Sequence, residues 1–271
     1  MVDRTEISKL ILKKLYENKK DLTKQFSKTK SGIGYFFIDN LLPNNLATEI
    51  HLNFPSLEDT VKKKNLREFK HTAYQMDKYH QLLEEVIYAF QDKNVVELIS
   101  EICDLNSIYA DDSLYAGGLS LMAKDNFLNP HLDNSHDKNR KRWRVLNLLY
   151  YVTPNWQLEN GGNLEVWGKG LEEKPTVIVS KFNRLAVMAT HNNSWHSVSK
   201  VEKNDIRCCV SNYYFSNEPI TSSDTFHVTT FRAKPNEKLK DFILQVDNKV
   251  RTSLRKLFKK GVRENPHQYK K

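Results

Sequence analysis

The sequence has little cysteine. Cys103, Cys208 and Cys209 are the only three in 271 residues, and no two form a CxxC pair. Adjacent cysteines rarely bridge each other, so neither a disulfide framework nor a cysteine-based zinc site is expected, and a reducing, cytoplasmic setting is. No apolar run approaches the roughly 18 residues that span a bilayer. The opening MVDRTEISKLILKKLYENKK carries apolar residues only in helical pairs and has no small-residue cleavage site, so a secretory leader is not expected. Internal repeats and low-complexity segments are missing as well. Aromatics are not scarce: at 11% they argue for a packed core rather than a disordered chain.

The net charge of +9 is unevenly placed. Residues 232–271 hold 13 Lys+Arg against 4 Asp+Glu, which leaves 29 of each sign before them. The basic balance belongs to the tail and not to the body, so nucleic acid is not the expected partner of the body.

Apolar spacing divides the chain. The first thirty residues read as one amphipathic helix with Ile7, Leu10, Ile11 and Leu15 on a face. A short strand is expected at 35–38 and a helix between Pro43 and Pro55. Residues 56–78, polar and Lys-rich, read as a long loop. Helical spacing resumes over 80–102, with a break at Asp92-Lys93-Asn94. From about 113 the pattern changes to short runs rich in Val, Ile, Leu and Tyr: 114–122, 129–133, 143–152, 163–167, 176–180, 184–189, 195–201 and 206–215. That rhythm predicts an all-β sandwich or barrel. Residues 236–260 return to helical spacing. The expected division is 1–112, a helical region with the first barrel strand; 113–232, a catalytic β core; and 233–271, a basic helical extension.

Within the β region, His131 and Asp133 are two apart and project to the same side of a strand. An imidazole and a carboxylate so placed make two-thirds of a 2-His-1-carboxylate facial triad, which binds Fe(II) and leaves positions open. His196, on a later strand, is the candidate third ligand. Eleven residues beyond it Arg207 opens the strand Arg207–Phe215. A guanidinium there suits the far carboxylate of a 2-oxo acid, because its planar fork pairs two oxygens at once. HxD alone carries little weight; the ordered set in β context is specific.

With His131-Leu132-Asp133-Asn134, Arg144, Tyr150-Tyr151, Trp156, Gly161-Gly162-Asn163-Leu164, Phe182-Asn183-Arg184-Leu185, His196-Ser197-Val198 and Arg207, the stretch 113–216 resembles the prolyl-hydroxylase-type branch of the 2-oxoglutarate- and Fe(II)-dependent oxygenases. The opening Tyr35–Pro43 resembles that family's usual start. The resemblance implies a mainly β fold with flanking helices, a double-stranded β-helix (jelly-roll, cupin-like barrel). It implies iron at His131, Asp133 and His196, and 2-oxoglutarate at Arg207 and Tyr151. Oxygen is then the second co-substrate, with ascorbate as a reductant. Asn147 shares a strand face with Tyr151, and Ser211 shares one with Arg207, so both are candidate contacts. The implied reaction hydroxylates an unactivated C–H and releases succinate and carbon dioxide.

Two departures stand out. His196 to Arg207 is longer than the family spacing, and Leu121-Met122-Ala123 occupies the region where the family often has a tyrosine. Asp133 disfavours a halogenase, and Tyr213 stands where a nucleic-acid demethylase of this superfamily carries a second arginine.

Lys138, Arg140, Lys141 and Arg142 lie between the ligand pair and the next strand, which favours an anionic small-molecule substrate. A protein prolyl or other residue is the alternative, as is a non-catalytic barrel used as a binding module. Gly161-Gly162 reads as a tight turn, Trp156 and Trp167 as core, and Cys208 and Cys209 as buried packing residues.

Overall fold

A computed structural model describes residues 2–115, 117–257 and 268–269. Two helices open the chain where one was expected: α1, Arg4–Glu17, and α2, Lys19–Thr29. Asp3 and Glu6 form a reciprocal capping box that starts α1. The break falls at Asn18, whose side-chain amide donates to the Lys14 carbonyl (2.8 Å) and ends the first helix.

Strand β1, Tyr35–Asp39, and helix α3, Asn44–Leu52, follow. Next comes a hairpin, β2, Val61–Lys64, and β3, Glu68–Ala73, in the stretch expected to be a loop. Its lysines hid it: β2 is an edge strand, and edges tolerate lysine that a buried strand would not. Helices α4, Gln81–Ala89, and α5, Lys93–Cys103, divide at Asp92, whose carboxylate caps α5 by accepting from the Asn94 and Val95 N–H groups.

The remaining strands are β4, Ile108–Ala110; β5, Gly118–Met122; β6, Phe127–Leu132; β7, Trp143–Tyr151; and β8, Leu164–Val166. After them come β9, Thr176–Ile178; β10, Arg184–Ala189; β11, His196–Val198; β12, Arg207–Ser216; and β13, Thr230–Phe231. Helix α6, Lys238–Leu257, follows; the last residues of the expected 236–260 helix and of the 233–271 extension lie outside the described residues.

Among the described residues, thirteen strands make one curled antiparallel sheet, ordered β1-β10-β7-β12-β5-β3-β6-β11-β8-β9, with β2 on β3, β4 on β12 and β13 on β6. This is the double-stranded β-helix. Period-2 alternation sorts its faces. Leu146, Leu148 and Tyr150 of β7 and Cys208, Val210 and Tyr214 of β12 pack outward into one core with α1, α2, α4 and α5. Asn147, Leu149 and Tyr151, with Arg207, Cys209, Ser211 and Tyr213, turn inward and line a cavity.

Helix α6 presents Leu239, Phe242, Val246 and Val250 to the outside. Its inward face is Leu244, Asn248 and Arg251. Asn248 accepts from the Phe231 N–H (3.0 Å) and donates to the Phe231 carbonyl (2.6 Å), so a polar side chain satisfies the backbone of short β13. Among the described residues no helix is long and apolar enough to cross a membrane.

Candidate active site

His131 near the end of β6 and His196 at the start of β11 are register partners in the sheet, and Asp133 follows β6 directly. The ladder alone therefore brings together residues 65 apart in sequence. Donor atoms of His131, Asp133 and His196 all lie within 4.8 Å of one another, a set able to hold a metal ion.

The hydrogen bonds fix which atoms are free. His131 Nδ1 lies 2.9 Å from the Asn129 carbonyl and His196 Nδ1 lies 2.9 Å from the Ser194 carbonyl. A carbonyl can only accept, so each Nδ1 carries a proton, and Nε2 is the ring nitrogen left to face a metal. Burial pushes His131 down to about 3, with His196 adding to the fall and Asp133 opposing it, so this imidazole is neutral near pH 7. For Asp133, burial alone would raise the pKa; Arg144, His196 and His131 more than offset it and hold the carboxylate below its usual range. Asp133 Oδ2 is buried and accepts no hydrogen bond. Two imidazoles that present Nε2 and one carboxylate oxygen without a partner fit a divalent iron that keeps open positions.

The cavity in front of these residues measures about 440 Å³. Arg207, 3% exposed, lies with its guanidinium carbon 5.3 Å from the centre of the Tyr151 ring and Nη2 3.5 Å from Ser120 Oγ. Its Nε, the Tyr151 hydroxyl and Asn147 Oδ1 are buried without partners. Ser211 lines the same wall. A carboxylate bound there has donors from an arginine and a tyrosine, and Asn147 can donate through its amide nitrogen.

Gly161 and Gly162, with φ of +69° and +64°, form the tight turn beside this wall. A Cβ on Gly162 would stand 3.0 Å from Arg207 Cδ. Trp156 is core and donates to the Gly161 carbonyl (2.8 Å); Trp167 is core and donates to Ser197 Oγ (2.7 Å). Cys208 packs outward, whereas Cys209 borders the cavity.

Of the basic loop, Arg140 lines the cavity; Lys138 donates to Gln268, Lys141 is exposed, and Arg142 covers the Tyr109 ring at 3.6 Å. Arg144 also reaches in, with Nη1 3.6 Å from Asp133 Oδ1. Sequence reasoning missed Lys63 and Lys70 on the hairpin and Arg251 and Arg255 on α6, all cavity-lining. No motif marks them; only recognition of the 61–73 hairpin, or of the inward face of α6, would have found them.

Residues 117–215 match the 2OG-Fe(II) oxygenase superfamily. No curated protein matches the chain in sequence. A prolyl 4-hydroxylase of Pseudomonas putida superposes with a TM-score of 0.53 at 14% identity, over 72% of this chain and 98% of that one. A prolyl 4-hydroxylase of Phytophthora capsici gives 0.53 at 15% identity, over 93% of this chain and 78% of that one. SnoN, a non-haem α-ketoglutarate-dependent epimerase of nogalamycin biosynthesis, gives 0.51 at 10% identity, over 73% and 84%. The family requires Fe(II), 2-oxoglutarate and O2, and the residue types in the cavity are those such a requirement calls for. Residues 117–215 thus match the 2OG-Fe(II) oxygenase superfamily, and the fold is that of the prolyl-4-hydroxylase type.

Proposed function

We propose that the protein holds Fe(II) through His131, Asp133 and His196, binds 2-oxoglutarate against Arg207, and hydroxylates an unactivated C–H of an anionic small molecule. The observation that carries this reading is the grouping of orphaned polar atoms. Asp133 Oδ2, Arg207 Nε and the Tyr151 hydroxyl are all buried, all lack a partner, and all belong to residues lining one cavity. Burying such atoms unpaired costs about 1–3 kcal/mol each, more for the charged ones, and a bound metal and dicarboxylate would satisfy them together.

Iron supplies the activation of oxygen. The chain's own residues hold and orient. His131 and His196 present Nε2 because their Nδ1 protons are committed to backbone carbonyls. Asp133 stays ionised beside Arg144. Arg207, immobilised under Gly162, takes the distal carboxylate of 2-oxoglutarate, with Tyr151 as a second donor and Asn147 and Ser211 completing the wall. In the overall reaction one oxygen atom of O2 enters the new hydroxyl and the other enters succinate, while C1 of 2-oxoglutarate leaves as carbon dioxide.

The test is succinate release from 2-oxoglutarate with Fe(II) and ascorbate under air. It is run with buffer, with the small-molecule fraction of a lysate, and with its macromolecular fraction. Stimulation by the small-molecule fraction supports the reading. Stimulation by the macromolecular fraction alone moves the substrate to a protein residue. No succinate in any arm, from protein that binds neither Fe(II) nor 2-oxoglutarate, overturns the assignment.

A further inference from the structure

We propose that the cavity contains a second anion subsite, built by Arg140, Arg144 and Arg255, that binds a tetrahedral oxyanion (a phosphoryl or sulfuryl group) of the substrate. This deepens the oxygenase reading above and rests on it for what happens to the bound molecule.

Arg144 is the anchor. It is 4% exposed, and its Nη1 faces Asp133 Oδ1 at 3.6 Å, while Nε and Nη2 are buried with no hydrogen-bond partner. A guanidinium does not shed its charge, so its unpaired donors call for an acceptor. The Tyr213 ring, 4.2 Å from the guanidinium carbon, holds the plane by stacking but accepts no conventional hydrogen bond.

Arg140 repeats the pattern. Its Nε is buried and unpartnered, its Nη2 donates to the Arg255 carbonyl (2.9 Å), and its guanidinium carbon sits 4.0 Å from the centre of the Phe226 ring. Burial pushes the Arg140 pKa down, and the nearby Arg255 cation adds to the fall. The Arg140 guanidinium is thus held against the Arg255 backbone, and both side chains border the same cavity. Asp137, the acid beside them in the cavity, accepts instead from the Lys141 and Arg142 N–H groups (2.8 and 3.3 Å). Among the described residues, no carboxylate lies within ion-pair distance of Arg140 or Arg255.

This cluster is distinct from the 2-oxoglutarate wall. Arg144 pairs with Phe215 in the β7–β12 ladder, whereas Arg207 begins β12. The Arg144 guanidinium stands over Tyr213 and the Arg207 guanidinium over Tyr151, the register partner of Cys209, so the two heads sit four residues, roughly 13 Å, apart along β12. One small dicarboxylate cannot satisfy Arg207 and also the Arg140–Arg144–Arg255 group. Three guanidiniums, each able to pair two oxygens, match a dianion with three free oxygens better than a carboxylate with two. An anion held by Arg144 also sets the atoms next to it beside Asp133, and so beside the triad.

The experiment uses the full chain loaded with Mn(II) and 2-oxoglutarate and titrates it calorimetrically with inorganic phosphate, sulfate and acetate. Binding of Mn(II) and 2-oxoglutarate is measured on the same preparations. The expected result is binding of phosphate and sulfate, at least tenfold tighter than acetate. That binding should weaken at least tenfold in R140Q/R255Q, whose 2-oxoglutarate affinity is unchanged. R255Q alone, a change on a partly exposed helix face, should give an intermediate loss and guards against a folding defect in the double variant. Failure of the wild type to bind either oxyanion overturns the subsite, as does equal binding of acetate or loss in R207Q but not in R140Q/R255Q. If Mn(II) and 2-oxoglutarate fail to bind while oxyanion binding still depends on Arg140 and Arg255, the subsite stands and the oxygenase reading of the cavity falls.

Discussion

His131 and His196 are register partners across the β6–β11 ladder with ring centres 4.1 Å apart, and each Nε2 lies 3.7 Å from a different oxygen of Asp133. Backbone pairing sets the histidine separation, so the three side chains need little further ordering to close on an ion. Low ordering cost is what a pre-formed site gains from rigid elements.

His196→Ala and Asp133→Ala should both abolish Mn(II) binding, but they should differ in stability. Removing His196 leaves no charge behind. Removing Asp133 leaves the buried Arg144 guanidinium without its facing carboxylate. An uncompensated buried charge is costly, and the loss should be about 2 kcal/mol given a separation longer than a hydrogen bond. Urea unfolding of the two variants checks this, and Asp133→Ala with Arg144→Met should recover most of the difference. Equal stability of the two single variants would remove the proposed Arg144–Asp133 coupling.

Gly162→Ala should weaken 2-oxoglutarate binding about tenfold while leaving Mn(II) binding intact. The new Cβ would meet Arg207 Cδ and Val201 Cγ2 at 3.0 Å, so the guanidinium stem must move. Arg207→Gln, which removes a charge-assisted pair worth about 1.5–3 kcal/mol per hydrogen bond, should cost about a hundredfold. Gly161→Ala should be worse than either: its Cβ would stand 1.9 Å from the Lys200 carbonyl oxygen, and a backbone atom cannot step aside. Calorimetry for the first two and expression yield for the third decide it. Unchanged 2-oxoglutarate affinity in Gly162→Ala would show that the turn does not position Arg207.

Much of the site was legible because strand alternation is rigid. The spacing of Asn147, Leu149 and Tyr151, and of Arg207, Cys209, Ser211 and Tyr213, gave the cavity faces of β7 and β12 directly. What escaped reading has a common physical cause, which is polar residues satisfied only in three dimensions. The 61–73 hairpin is an edge whose lysines serve partly as cavity wall, so hydrophobic periodicity is weak there. In α6 the outward apolar stripe dominates the pattern, and the inward face depends on Asn248 bonding a short strand. Arg255 enters the site from a helix whose spacing carries no chemical motif.

Asn183→Ala should destabilise the fold by at least about 2 kcal/mol without touching the cavity. Asn183 Oδ1 accepts from the Leu42 N–H (3.0 Å) and the Tyr150 hydroxyl (2.8 Å), and Nδ2 donates to the Leu42 carbonyl (2.6 Å). The truncated variant leaves three buried groups unsatisfied, and Ala tolerates the φ of 59° less well than Asn. Thermal and urea unfolding measure the loss. A fall below about 0.5 kcal/mol, the range of a neutral substitution, would mean that water replaces the amide.

The charge on Lys63 makes anion binding depend on pH in a defined direction. Burial, with Lys70 adding to it and Glu68 opposing, pushes Lys63 from 10.5 to about 8. Lys70 and Glu68 are the charged groups that face it, and they form an ion pair with each other (3.1 Å). Below about pH 8 Lys63 is therefore a cation on the cavity wall, and above it that charge is lost. Because the folded pKa is depressed, the unfolded chain holds the proton more tightly between about 8 and 10.5, so this group favours folding more as pH rises there. Binding runs the opposite way. Sulfate stays a dianion throughout this range, so its affinity should fall severalfold between pH 7 and pH 9, with a midpoint near 8. Lys63→Gln should show weaker binding at pH 7 and a flat profile. A midpoint near 8 that persists in Lys63→Gln would assign the titration to another group.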